Sequence, residues 1–363
     1  MLIRVSSEFI VGFQYPYDEV KRVSEFIDTP AVWYGEELMA RPDWLVTLNN
    51  SEIDELARAA DEWADVDLGC TPQESFKLPT LAQRLTMIQS ALEVGAGATM
   101  IRGFPVERFS EDQTTRIFWG IVQHIGTPVS QSATGERIFH VRDEGFRNDD
   151  PRARGPNTRK RLSFHTDRCD VISFMCLQQA KSGGENDLVS SAALYNQVRQ
   201  QRPDLLAELM QPYYYQRHNV DRGNELAYCR QPVFSFCQGH FAACYLRVLI
   251  ERAYASADVS NMSATQREAL DFLEEVAEDP ALQVRIRQQP GDILLLNNWV
   301  TFHRRAEFED HDEAERKRHI LRVWLSVPNS RPISPLFKEN YGATAAGAIR
   351  GGMRPKDSTK ALL

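Results

Sequence analysis

From residue 130 onward the chain is a succession of short β-type runs: RLSFHTD, DVISFMCLQQA, NDLVSS, ELAYCRQPVFSF, GDILLLNNWVTFH and RHILRVWLSV. Two helical stretches, near 191–210 and 263–278, interrupt them without a regular β–α alternation. That order predicts an α+β protein with a mainly β core, an antiparallel sandwich or barrel carrying helical insertions. Three helices are expected earlier. Residues 51–64 place Ile53, Leu56, Ala57, Ala60, Trp63 and Ala64 on one apolar stripe, with Ser51 as the cap. Residues 80–94 follow Pro79 and end at Gly95, read as a left-handed stop. Residues 110–125 open on the capping-box pair Ser110 and Gln113 and stop at Gly126. GATMIRGFPV, between the last two, reads as a short strand. We therefore expect one domain over residues 1–363. It has a mostly helical elaboration over 1–95, a core over about 96–330, and a loosely packed C-terminal tail over 331–363 with a helical piece.

Composition narrows the function. With 42% hydrophobic and 25% charged residues among 363, the chain can bury a substantial core. A net charge of −8 argues against a dedicated nucleic-acid binder, which needs a dense basic face. No apolar run is long enough for a transmembrane helix, and the start, MLIRVSSEFIVGFQYPYDEV, is a poor signal peptide. The six cysteines include no CxxC pair and fit a reducing cytoplasm. The expected partner is a small molecule rather than nucleic acid or membrane.

Which of the eight histidines could converge on a metal? Acids fill 50 of 363 positions, so about one chance H-x-[DE] match is expected. Two occur, His165-Thr166-Asp167 and His311-Asp312-Glu313. His311 lies in the charge run EDHDEAERKR and reads as a solvated loop. His165 lies in RLSFHTDRCDVISF; on a strand Ser163, His165, Asp167 and Cys169 share one face, so the imidazole and carboxylate can chelate one ion. A two-histidine, one-carboxylate triad needs a distant third ligand. The candidate is His303, where the buried-looking strand of PGDILLLNNWVTFHRR emerges. A hydrogen-bonded core histidine is the competing reading. In RHILRVWLSV, His319, Leu321, Val323 and Leu325 form a core stripe, and Arg318, Ile320, Arg322 and Trp324 the opposite face. Two arginines in such a strand need anionic partners, either the protein's own acids or a ligand.

Together these residues resemble the taurine dioxygenase and clavaminate synthase-like family of iron(II)/2-oxoglutarate oxygenases. Four segments carry the resemblance in order: FHTD, Gly183-Gly184-Glu185, PGDILLLNNWVTFHRRAEF with His303, Arg305 and Phe308, and the R-x3-R strand RHILRVWL. MIRGFPV and IGTPVSQS also resemble family segments, and the similarity spans about residues 90–330. The resemblance implies a double-stranded β-helix, or jelly roll. It implies Fe(II) held by His165, Asp167 and His303, with three coordination positions open for the co-substrates 2-oxoglutarate and O2. Arg318 matches the arginine that clamps the far carboxylate of 2-oxoglutarate with a bidentate fork. Asn186 stands where relatives carry a supporting Thr or Ser. Arg322 matches the position that in several relatives meets an acidic group of the primary substrate. Asp167 fills the position that halogenating relatives leave open for chloride. Hydroxylation or desaturation of a small anionic or amino-acid-like metabolite is therefore implied, coupled to decarboxylation of 2-oxoglutarate to succinate and CO2.

Three weaker signals stand beside this. Cys169 lines the pocket if the His165 strand persists, and is otherwise simply buried. Tyr213-Tyr214-Tyr215-Gln216-Arg217-His218 reads as an aromatic sheet face or the border of a substrate site. The basic stretch 147–161 reads as a solvated loop or a lid. Two other functions remain open on the residues alone: a zinc-dependent hydrolase using the same triad, and a catalytically inactive jelly-roll binding protein. Neither accounts for Arg318 beside the triad.

Overall fold

The structure is a computed structural model, which describes residues 25–66, 68, 76–146, 155–217, 221 and 227–355. Cys70, His218 and most of the basic stretch, 147–154, lie outside the described residues.

The first helix, α1 (Asn50–Glu62), is capped by Asn49 rather than Ser51. The Asn49 side chain accepts from the Glu52 backbone N–H at 3.0 Å, and Glu52 accepts from the Asn49 N–H at 2.9 Å, a reciprocal capping box. Helix α2 (Leu81–Val94) has no cap of its own. The buried carboxylate of Glu55, on α1, accepts from the N–H groups of Thr80 and Leu81 instead. Gly95 ends α2 at φ −99°, not in the left-handed region. Glycine is needed there because a Cβ would fall 2.5 Å from the Ala91 carbonyl and 2.7 Å from Asp43 Oδ2. Helix α3 (Glu111–Ile125) carries the expected Ser110–Gln113 box and ends at Gly126.

A seven-stranded sheet follows the order β1 (Leu45–Thr47), β2 (Ala98–Arg102), β13 (Ile293–Asn297), β5 (Val171–Gln178), β16 (His319–Ser326) and β3 (Thr127–Val129). β4 (Ile138–Val141) also pairs with β16. A three-stranded sheet follows the order β12 (Gln283–Ile286), β7 (Asn186–Ser190) and β14 (Thr301–Arg305). Shorter pairs join β6 (Ser182–Gly183) to β15 (Phe308–Glu309), β8 (Tyr213–Gln216) to β9 (Tyr228–Gln231), and β10 (Phe234–Cys237) to β11 (His240–Ala243). The segment read as one strand, GDILLLNNWVTFH, is thus two strands in different sheets, turned by Asn298–Val300.

Three apolar layers follow from side-chain alternation. Ile293, Leu295, Leu321, Val323 and Leu325 face α1–α3. Leu294, Leu296, Ile172 and Trp324 meet Leu188, Val284 and Ile286 of the smaller sheet. Val189 and Phe302 turn outward to the helices α4 (Ser191–Gln201), α5 (Pro203–Leu209), α6 (Arg247–Tyr254) and α7 (Ala264–Ala277). Strand β13 is covered on both faces, which is why its sequence is a continuous apolar run rather than an alternating one. The fold is a mixture of helices and sheets, with no closed barrel among the described residues. No helix among them is long and apolar enough to cross a membrane.

The C-terminal segment is not loose. Ile333, Phe337, Tyr341, Arg350 and Met353 are buried, and the short helix α8 (Lys338–Tyr341) is the helical piece. Arg350 donates to Asp170 at 2.6 Å and to the Arg331 carbonyl at 2.8 Å. Asp170 also accepts from Trp299 Nε1, Ser326 Oγ and the Val327 N–H. The mixed composition of 331–363 hid this because a few buried anchors are spaced among polar turns. Removing one partner of a fully buried ion pair strands the other. Arg350→Ala is expected to lower unfolding stability by about 3–5 kcal/mol, read from urea denaturation; a loss under about 1 kcal/mol would contradict the role given to this pair.

Candidate iron and 2-oxoglutarate site

The segment RLSFHTD is not a strand. His165 makes one isolated bridge to His303 on β14, with reciprocal N–H to carbonyl bonds of 3.0 and 3.1 Å. Beyond it the backbone turns: the Cys169 N–H bonds the Asp167 carbonyl at 2.9 Å, and the Asp170 N–H bonds the Leu325 carbonyl at 3.0 Å. The turn separates what a strand would have aligned. His165 and Asp167 point to the cavity, whereas Cys169 is fully buried and accepts from Asn298 Nδ2 at 3.0 Å. Cys169 therefore is a core residue.

His165, Asp167 and His303 converge. One ligand atom from each lies within 4.8 Å of the others. The two imidazole centroids are 4.4 Å apart, and His303 Nε2 is 3.6 Å from Asp167 Oδ2. His165 Nδ1 bonds the Ser163 carbonyl at 2.8 Å, which leaves Nε2 for a ligand. Asn298 fixes Asp167 by accepting from its backbone N–H at 3.0 Å. Burial, together with the neighbouring His303, pushes His165 down to about 4, so its ring is neutral at physiological pH and ready to ligate. Burial alone would raise Asp167, but Arg322 and then the histidines hold it well below the usual carboxylate range. Asp167 Oδ2 is buried with no hydrogen-bond donor. The neutral imidazole of His165, the imidazole of His303 and an orphaned carboxylate oxygen on one side of a cavity fit a divalent metal with open positions, the donor set of non-haem iron.

Arg322 on β16 and Arg318 just before it face the same cavity, of about 750 Å³. Arg322 is sandwiched between the rings of Phe139 and Trp324, at 5.1 and 5.0 Å from the centroids. Its Nε donates to Gln131 at 2.7 Å, its Nη1 is 3.7 Å from Asp167 Oδ2, and its Nη2 has no partner. Arg318 is buried over the Phe308 ring, and its Nη1 also has no partner. Arg305 stacks on Phe308 as well, held by the carbonyls of Gly155 and Lys160. Burial pushes Arg305 down to about 9 and Arg318 to about 10, so both stay charged near neutrality. Gly184, at φ +76°, lets the chain pass Arg318: a Cβ there would lie 3.1 Å from its Nε. Asn186 lines the cavity, and its Nδ2 donates to Gln288 at 3.0 Å.

Gln131, Asn298 and Gln288 were not singled out from the sequence, although Gln131 lies in IGTPVSQS and Asn298 in the GDILLLNNWV run. For Asn298, a polar residue in an otherwise apolar run was the available signal. Tyr341 and Met353 of the C-terminal segment also line the cavity, as do Tyr215, Gln216 and Arg217 from the aromatic cluster. His311 takes no part in a metal-ligand cluster among the described residues.

Comparison with known proteins agrees with this geometry. Residues 67–324 match the family described as taurine catabolism dioxygenase TauD, TfdA family, and the chain belongs to that family. It is an iron(II)- and 2-oxoglutarate-dependent dioxygenase. It is 28% identical over 326 residues to the FR-33289 synthase of Streptomyces rubellomurinus, covering 87% of this chain and 95% of that protein. It is 29% identical over 304 residues to a taurine hydroxylase-like protein of Stachybotrys chartarum, covering 80% and 77%. Among solved structures, an asparagine oxygenase with Fe(II), 3-hydroxyasparagine and succinate superposes with a TM-score of 0.61 at 16% identity, over 78% of this chain and 93% of that one. The non-haem iron oxygenase OrfP with Fe and α-ketoglutaric acid gives a TM-score of 0.55 at 15% identity, over 84% and 99%.

Supporting groups around metal ligands typically matter 10–100-fold for metal affinity. Asn298→Ala is expected to weaken Fe(II) binding by about that factor, measured anaerobically by equilibrium dialysis. Unchanged affinity would remove Asn298 from the site.

Proposed function

We propose that this chain hydroxylates or desaturates a small anionic or amino-acid-like metabolite, with 2-oxoglutarate decarboxylated to succinate and CO2. In this reading His165, Asp167 and His303 hold the iron. Bound iron, with 2-oxoglutarate and O2, supplies the oxidising power to break an unactivated C–H bond. The protein's work is to bind, orient and exclude water.

The observation that carries the reading is the pair of unpartnered guanidinium nitrogens, Arg318 Nη1 and Arg322 Nη2, buried on the wall that the triad faces. A buried guanidinium N–H without an acceptor is costly, and an anionic ligand removes the cost. Arg318 takes the far carboxylate of 2-oxoglutarate. Gly184 keeps its approach open, and Asn186, which lines the same cavity, has one amide N–H beyond its bond to Gln288 to offer that carboxylate. Arg322, locked between Phe139 and Trp324 and steered by Gln131, offers its free Nη2 to an acidic group of the primary substrate. The small polar substrates named for relatives, asparagine for one solved structure and uridine 5′-phosphate for two more distant homologues, are compatible with such a wall. Asp167 occupies the position a halide would need, so oxygen insertion or desaturation is the outcome. We read the two sheets and the apolar layer they share as the halves of a double-stranded β-helix, within one oxygenase domain.

Anaerobic titration of apo-protein with Fe(II) and then 2-oxoglutarate is expected to develop a weak visible charge-transfer band. His165→Ala and Arg318→Ala should abolish it, and folded wild-type protein without the band would refute the site. Compounds that shift the band are substrate candidates. With such a substrate in hand, Arg322→Ala is expected to raise its KM on the order of 30-fold while changing the 2-oxoglutarate KM far less. The reverse pattern would exchange the roles of the two arginines.

A further inference from the structure

Strand β16 alternates. Arg318 and Arg322 face the cavity, whereas His319 starts the stripe of Leu321, Val323 and Leu325 that faces the helices. On the neighbouring β4, His140 pairs with Leu321, so His140 and His319 are diagonal neighbours on one face of an antiparallel pair. Their rings meet: His140 Nδ1 is 2.7 Å from His319 Nε2, with centroids 5.0 Å apart. The first residue of α3 closes the third side, with Glu111 Oε2 4.0 Å from His319 Nδ1. One ligand atom from each of these three residues lies within 4.8 Å of the others.

We propose that His140, His319 and Glu111 form a second metal site, on the opposite face of β16 from the iron site, for Zn²⁺ or another borderline first-row ion. Imidazole nitrogen with one carboxylate suits that class of ion, and a tetrahedral geometry leaves a position for water. Three segments far apart in sequence supply the ligands, so the fold and not a local motif assembles them. Both imidazoles are half-buried, whereas the Glu111 side chain is 61% exposed and free to swing in. Two nitrogens bound to one tetrahedral ion lie about 3.4 Å apart; the rings need open by only about 0.7 Å from their present contact. Glu136 and Glu144 add negative charge around His140, against the cations Arg142 beside both rings and Arg318 behind His319. A plain hydrogen-bonded histidine pair is the alternative; it keeps Glu111 at His319 Nδ1, whereas an ion shared with His140 at Nε2 draws the exposed carboxylate round to that side.

The test counts metal. Chelator-stripped full-length protein is dialysed against Zn²⁺, and bound zinc is measured per chain. Two equivalents are expected for wild type, one for His140→Gln or His319→Gln, one for His165→Ala, and none for the double variant His165→Ala/His140→Gln. Glutamine retains a hydrogen-bonding side chain, and far-ultraviolet circular dichroism verifies that each variant is folded. The exposed substitution Glu111→Gln leaves the pair itself intact and is expected to weaken the second equivalent roughly tenfold. A His165→Ala protein that binds no zinc overturns the proposal, as does a folded His140→Gln protein that keeps both equivalents. Loss of the His165-dependent equivalent alone bears on the iron site and leaves this one standing.

Discussion

The carboxylate of Asp170 is the point on which the site depends. It is fully buried and receives Trp299 from the turn between β13 and β14, Ser326 and Val327 from the end of β16, and Arg350 from the C-terminal segment. Each bond reaches a different piece of the active site. Asp167 lies three residues before Asp170, His303 four residues after Trp299, and Arg322 four residues before Ser326. One carboxylate with four donors therefore sets the mutual position of Asp167, His303 and Arg322. Such a network is strong when every member is satisfied and costly when one is missing.

Around that anchor the cavity concentrates positive charge. Arg305, Arg318 and Arg322 line it, and among the described residues the carboxylate paired with Arg322 is that of Asp167. The aromatic rings of Phe139, Phe308 and Trp324 stabilise the guanidinium faces without consuming their donors. Charge is thus retained in a low-dielectric setting and its hydrogen-bonding edge kept available. This is the arrangement that an acidic co-substrate and an acidic substrate would complete.

Much of the site was legible in the sequence because two of its strands carry a clear period. Charges alternating with apolar residues in RHILRVWLSV identify which arginines share a face, and His303 ends a run too apolar to be exposed. His165 and Asp167 were found on a wrong premise: they converge through a turn held by Asn298 and Leu325, not through a strand. Spacing of two satisfies both geometries, whereas Cys169, two residues further, separates them. Gln131 and the buried anchors of the C-terminal segment act at long range, so no local pattern marks them. The His140–His319 contact depends on strand register, which a single sequence does not encode locally.

The span of the Asp170–Arg350 pair has a consequence for biosynthesis. The two residues are 180 positions apart, and Tyr341 and Met353, which line the cavity, come from the same late segment. During N-to-C synthesis the triad residues emerge well before the arginine that neutralises the carboxylate fixing them. A nascent or truncated chain is left with an uncompensated buried anion at the centre of its site. The arginine that completes the anchor and the residues that enclose the cavity thus join the fold together, after the triad has been made.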